Sequence, residues 1–277
     1  MKITQAWPLL LSIGVVTYFS ACTKVVSPVA AEKSLATADT VTDSVSTCTD
    51  YVDSVKRSLW AYYKFNGNFA DSSGNNRNVT GENSIALGKD ILGNANSALS
   101  FNGTSNYAVI DSGVNFPAGN FTVSMLCLFN STNGNRIFQK VNYSNATGAS
   151  LGFGFSTTAG DAFSFFVATD SNVCADIPNS SLSLLNLTQT EQTGIWYYVT
   201  IVFNNGTLST YVDGTLQGSL ATSHPTFETC SDAPFYLGTW WSEDPLYYSG
   251  EMDELRIYSP ALSQGEITYL ANNVVNL

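Results

Sequence analysis

The chain has 277 residues, with 11 Lys and Arg against 22 Asp and Glu, a formal net charge of −11. Nucleic-acid binding rests on cationic side chains that neutralise phosphates, so that class is excluded, as is a polybasic membrane patch. The single histidine, His224, excludes multi-histidine metal centres, and a composition 44% hydrophobic and 12% charged excludes a disordered chain.

Met1 and Lys2 open a short positive segment, followed by a mostly apolar run from Ala6 to Phe19 broken by Pro8. The run is too short for a membrane span of ~20 residues and has the layout of a secretory signal. It ends in Phe19-Ser20-Ala21-Cys22, which resembles the bacterial lipobox. That resemblance implies cleavage after residue 21, acylation of Cys22, and a cell-envelope protein, an outer-membrane lipoprotein, held to the membrane only by its lipid. Residues 22–57 are rich in Ala, Ser, Thr and Val without a sustained period and read as a flexible tether. Three tripeptides, Asp39-Thr40-Val41, Asp43-Ser44-Val45 and Asp53-Ser54-Val55, resemble the short O-glycosylation acceptors of Bacteroidetes envelope proteins.

From Ser58 to Leu277 the chain reads as one all-β domain. Short apolar or alternating runs recur between Asn, Gly, Ser and Asp: Ala98–Phe101, Tyr107–Ile110, Phe121–Phe129, Arg136–Val141, Leu151–Phe155, Ala162–Ala168, Trp196–Phe203, Phe235–Gly238 and Glu251–Tyr258. Leu208 to Gln217 brackets Asp213-Gly214, a two-residue hairpin signal. This spacing predicts an antiparallel sandwich or barrel. Tyr62, Phe65, Phe101, Trp196, Tyr198 and Phe203 are its expected core anchors, and the strand carrying Leu255 and Ile257 should have one wet face. Ser263 and Glu266 form a capping box, predicting a short C-terminal helix with Ile267, Leu270 and Ala271 on its apolar stripe.

Several segments, in order, resemble the laminin-G-like, concanavalin A-like lectin/glucanase jelly roll: Leu59 to Phe65 with Asp71-Ser-Ser-Gly74-Asn75; Ala98 to Gly103; Phe121 to Ser124; Trp196 to Phe203 with Leu208 to Gly214; and Gly250 to Tyr258 with Ala261 to Ser263 and Glu266. The resemblance implies a two-sheet jelly-roll sandwich and a scaffold that often binds sugars. It also implies a structural Ca²⁺ at the sandwich edge, near the first and last strands. The matching positions are Asp71 and Asp253, with Asn66, Asn68 and Gly74 as remaining oxygen donors.

The expected ligand site is an aromatic platform of Trp240, Trp241, Tyr247 and Tyr248, with Glu243 and Asp244 accepting hydroxyl hydrogen bonds. The expected partner is a carbohydrate or glycoconjugate, with a protein ligand as an alternative. A glycan-cleaving enzyme is the second function class. Glu251-Met252-Asp253-Glu254 resembles a fragment of the alternating acids of the family's glucanases, but Leu255 stands where the third acid belongs. With Cys22 acylated, Cys48, Cys127, Cys174 and Cys230 allow three pairings. Cys174 and Cys230, both in polar loops, are the favoured pair, and Cys127 sits in an apolar strand.

Overall fold

A computed structural model describes residues 51–110, 116–117, 119–132, 136–142, 148–156, 162–168, 182–188, 191–226, 233–240 and 246–276. Residues 51–57 form helix α1. The strands follow in chain order: β1 (Leu59–Tyr63), β2 (Val79–Glu82), β3 (Ala86–Gly88), β4 (Ala98–Asn102), β5 (Tyr107–Ile110), β6 (Phe121–Phe129), β7 (Arg136–Asn142), β8 (Gly148–Ser156), β9 (Ala162–Ala168), β10 (Leu182–Asn186), β11 (Trp196–Asn204), β12 (Thr207–Val212), β13 (Thr215–Ala221), β14 (Phe235–Leu237) and β15 (Ser249–Tyr258). Helix α2 (Gln264–Asn273) and a 3₁₀ turn (Val274–Asn276) close the chain.

The strands make two antiparallel sheets. The eight-stranded sheet runs β13-β12-β11-β6-β15-β4-β3, with β1 also on β15; the seven-stranded sheet runs β10-β9-β8-β7-β14-β5-β2. Alternation along each strand decides which residues meet between them. On the seven-stranded sheet the inward row is Leu185, Phe165, Phe153, Phe138, Leu237 and Ala108, all core residues. The eight-stranded sheet answers with Val123, Met125, Cys127, Phe129, Ile201, Leu255 and Ile257.

The outer face of the eight-stranded sheet is not wet. Leu126, Tyr198, Val202 and Tyr258 pack there against Leu262, Ile267, Leu270 and Val274 from the C-terminal segment and against Val55 from α1. Burying Ile267 and Leu270 stabilises the docked helix by about 2 kcal/mol each. Its N-terminus is closed by the expected capping box: Ser263 Oγ accepts from the Glu266 amide, and the Ser263 amide donates to Glu266 Oε2 at 2.7 Å. This roof corrects two expectations. Of the six aromatic anchors, Phe65, Phe101 and Phe203 lie between the sheets, whereas Tyr198 and Trp196 pack under the helices and Tyr62 faces Arg256. Arg256, predicted on a wet face, is 2% exposed.

Helix α1, within the stretch that sequence reads as tether, packs on the C-terminal segment. In α1, Val55 is buried, the Ser54 hydroxyl donates to Glu266, and Tyr51 lies 6.4 Å from Tyr269 between ring centroids. Ser54 is therefore engaged in the fold, which removes the third acceptor-like tripeptide from any exposed tether. The hairpin at Asp213-Gly214 joins β12 to β13 with φ of 49° and 76°, the paired positive values a type I′ turn requires. Gly250 is required where β15 enters the sheet: a Cβ there would lie 1.9 Å from the Leu128 carbonyl oxygen.

Candidate functional site

Two regions carry chemistry: the outer face of the seven-stranded sheet, and a gap beside β15. On the outer face, strand register aligns Leu184, Phe166, Gly152, Gln139, Tyr236, Val109 and Thr80 in one row from β10 to β2. Val141, Phe166 and Tyr236 form an apolar cluster here, bordered by the half-exposed Tyr107, Val109 and Trp240. The Tyr107 and Tyr236 rings are 5.9 Å apart and tilted by 55°. The Arg136 guanidinium lies over the Trp240 ring, 4.9 Å from its centroid, a contact that orients both groups.

Of the predicted platform, Trp240 falls on this face. Tyr247 is half-buried in the segment that follows. Tyr248 does not belong to a platform: it is fully buried in the inter-sheet core, and its hydroxyl donates to the Leu128 and Glu251 carbonyls at 2.9 and 3.1 Å. Trp241, Glu243 and Asp244 lie outside the described residues. Sequence reading missed Gln139, Phe166 and Tyr236. Their strands were legible, but which side of a strand faces out depends on pairing register.

The gap beside β15 arises from topology. The first half of β15 pairs with β4, through Met252 and Leu99, and the second half pairs with β1, through Leu255 and Tyr63. Asp253 and Glu254 sit where the partner changes, at a register shift with Glu254 at φ 52°. The result is a cavity of about 310 Å³ lined by Asn66, Asp90, Ile91, Leu92, Asn94, Ser97, Asp253, Glu254 and Val275. Asp253 is 5% exposed, and Oδ1 accepts from the Glu254 amide at 2.7 Å. Burial, and then the Glu254 charge, push its pKa up to about 8.

The predicted calcium set divides here. Asn66 and Asp253 share the cavity, but Asp71, Asn68 and Gly74 do not line it. Asp71 Oδ1 accepts from the Tyr62 and Ser73 amides at 3.0 and 2.9 Å, and Oδ2 from the Arg77 amide at 3.0 Å. Burial pushes its pKa up, but the Tyr62 and Arg77 amides outweigh it and hold the carboxyl below its ordinary value. Asp71 thus organises the turn after β1, and its oxygens are taken by backbone. Asn68 likewise bonds locally, to the Ala70 amide and the Asn66 carbonyl. Asp90 and Asn94 line the cavity, and Asp90 is also engaged locally: Oδ1 accepts from the Leu92 and Asn94 amides at 2.9 and 2.8 Å, and Oδ2 from Asn94 Nδ2 at 2.8 Å.

Glu254 is held by structure. It accepts from the Tyr62 hydroxyl and from Arg256, whose Nη2 also donates to Tyr62 Oη at 2.8 Å. Among the described residues no three His, Cys, Asp or Glu side chains converge as a ready metal centre. His224 is exposed, with Nδ1 3.0 Å from Ser223 Oγ. Cys127 is a free, fully buried thiol whose pKa burial pushes up, whereas Cys22, Cys174 and Cys230 lie outside the described residues.

Among solved structures, this chain is similar to domain 4 of AbnA, an extracellular arabinanase from Geobacillus stearothermophilus solved with arabinotriose, at 24% identity and a TM-score of 0.61, covering 77% of this chain and 98% of that one. It is also similar to the ligand-binding domain of botulinum neurotoxin serotype D solved with N-acetylneuraminic acid, at 16% identity and a TM-score of 0.60, covering 82% and 53%. A third is the binding domain of botulinum neurotoxin DC in complex with rat synaptotagmin II, at 15% identity and a TM-score of 0.57, covering 79% and 52%. This chain thus spans about half of those toxin domains. Comparison with curated proteins gives no match. The family model described as the concanavalin A-like lectin/glucanases superfamily matches residues 102–268, more than half of the chain, and, with the two antiparallel sheets of the expected sandwich, this chain belongs to that superfamily.

Proposed function

We propose that this chain is a non-catalytic carbohydrate-recognition domain that binds glycan on the outer face of the seven-stranded sheet. The observation that carries the reading is the contrast between the two outer faces. One is roofed by α1 and α2; the other carries the half-exposed Tyr107 and Trp240 at the border of the buried Phe166, Tyr236 and Gln139, with Arg136 over the Trp240 ring. Aromatic rings stack on the C–H faces of sugars, and amide and guanidinium groups bond hydroxyls. The arabinotriose and N-acetylneuraminic acid named with the structural neighbours support the same ligand class. In this reading acylated Cys22 holds the domain at the bacterial outer membrane, and Ca²⁺ binds through the Asp253 carboxylate in the cavity beside β15.

The test is a glycan array followed by calorimetric titration of the best ligand. A shallow aromatic site predicts a Kd of roughly 0.1–1 mM. Trp240→Ala and Tyr107→Ala, each verified as folded, should weaken binding at least about tenfold, because a few aromatic anchors dominate such sites. Unchanged affinity in both variants would move the ligand elsewhere. Release of reducing ends from the bound glycan would instead establish the glycan-cleaving alternative.

A further inference from the structure

Within the face just described, and resting on that reading, one side chain is out of place for a purely structural surface. Gln139 has no solvent exposure, yet neither Oε1 nor Nε2 has a hydrogen-bond partner among the described residues. A buried primary amide without partners is a standing cost to the fold. Its neighbours across the sheet are Tyr236 on β14 and Gly152 on β8. Gly152 leaves a slot in the face: a Cβ built there would lie 2.4 and 2.5 Å from the Phe166 ring and 3.1 Å from Gln139 Oε1. A glycine inside a strand marks close approach of another group, and here the group is an aromatic ring lying beside the amide.

We propose that Gln139, Gly152 and Phe166 form a subsite that reads two adjacent hydroxyls of a neutral sugar. The amide offers one acceptor and a donor side by side, and each hydroxyl can both give and take. A vicinal pair therefore satisfies Oε1 and Nε2 together. A carboxylate or phosphate has only acceptor oxygens, so it can engage Nε2 but faces Oε1 with like partial charge; the subsite selects neutral sugars over acidic ones. Phe166 is 6% exposed and fills the slot in the free protein. Its ring turns aside to admit the sugar and then lines the sugar's C–H face.

The experiment pairs stability with binding, using arabinotriose and the best neutral array glycan as probes and N-acetylneuraminic acid as the acidic comparison. Gln139→Leu keeps the volume and removes the unpaired amide. Its free form should melt no lower than the unsubstituted protein, and up to a few degrees higher, while affinity for the neutral probe falls at least about tenfold. Gln139→Glu should lose the neutral probe as well. A Gln139→Leu protein that melts clearly lower, or that binds the neutral probe undiminished, overturns the subsite, as does tighter binding of N-acetylneuraminic acid than of the neutral probes. If Trp240→Ala weakens binding and Gln139→Leu does not, the face stands and the subsite falls. If no neutral glycan on the array binds, both fall.

Discussion

Replacing Arg256 by Met is expected to cost about 3–5 kcal/mol of stability, roughly a 10 °C fall in melting temperature. Arg256 is 2% exposed and does three things at once. It pairs with Glu254, donates to Tyr62 Oη at 2.8 Å, and lies 4.3 Å from the centre of the Tyr62 ring. Methionine fills much of the volume but leaves the Glu254 carboxylate, with a side chain 12% exposed, facing a phenol and no cation. The unpaired charge accounts for most of the expected loss, so Arg256→Met combined with Glu254→Gln should recover a large part of it. Chemical denaturation of the two single variants and the double variant measures the coupling. Additive losses would mean that the guanidinium acts only through packing.

Asp253→Asn is expected to stabilise the metal-free protein at alkaline pH by on the order of 5 kcal/mol. The folded carboxyl titrates at about 8, against roughly 3.9 when unfolded. The folded state therefore holds a proton that the unfolded chain releases. The contribution is complete below about pH 4 and is lost as pH rises to about 8, so unsubstituted protein in EDTA should weaken across that window. The asparagine variant should lack that part of the slope, and its Oδ1 can still accept the Glu254 amide. Calcium in excess should remove the same slope from the unsubstituted protein, because bound cation stabilises the ionised carboxylate, and should do little for the variant. Parallel stability–pH curves for the two proteins, or no calcium effect on either, would contradict the assignment.

What the sequence disclosed follows from the range of the interactions involved. The strand from Phe121 to Phe129, the turn at Asp213-Gly214 and the Ser263–Glu266 cap are local patterns, and each forms where its residues predict. β3 is three residues long and β2 carries Gly81 in its middle, so neither contains a period long enough to detect. α1 was hidden because Asp, Ser and Val favour helices weakly; docking of Val55 and Tyr51 on the C-terminal helix supplies what propensity lacks. The acidic cavity was half legible. Asp253 stands out in sequence, but its companions come from the junction of β1 and β4 on one edge of β15, a property of topology alone. Tyr247 and Tyr248 are adjacent and alike, yet Tyr248, whose amide donates to the Gly238 carbonyl at 2.8 Å, lies in the core.

The central claim, that glycan binds the outer face of the seven-stranded sheet, is tested most directly by mapping backbone amide chemical shifts of the whole chain during titration with the best neutral array glycan. The account predicts saturable shifts concentrated at Gln139, Gly152, Phe166, Tyr236 and Trp240, with β1, β15 and α2 silent. Shifts confined to Asp90–Asn94 and Asp253-Glu254, or to the helices over the eight-stranded sheet, would place the ligand on the other side of the molecule and contradict it.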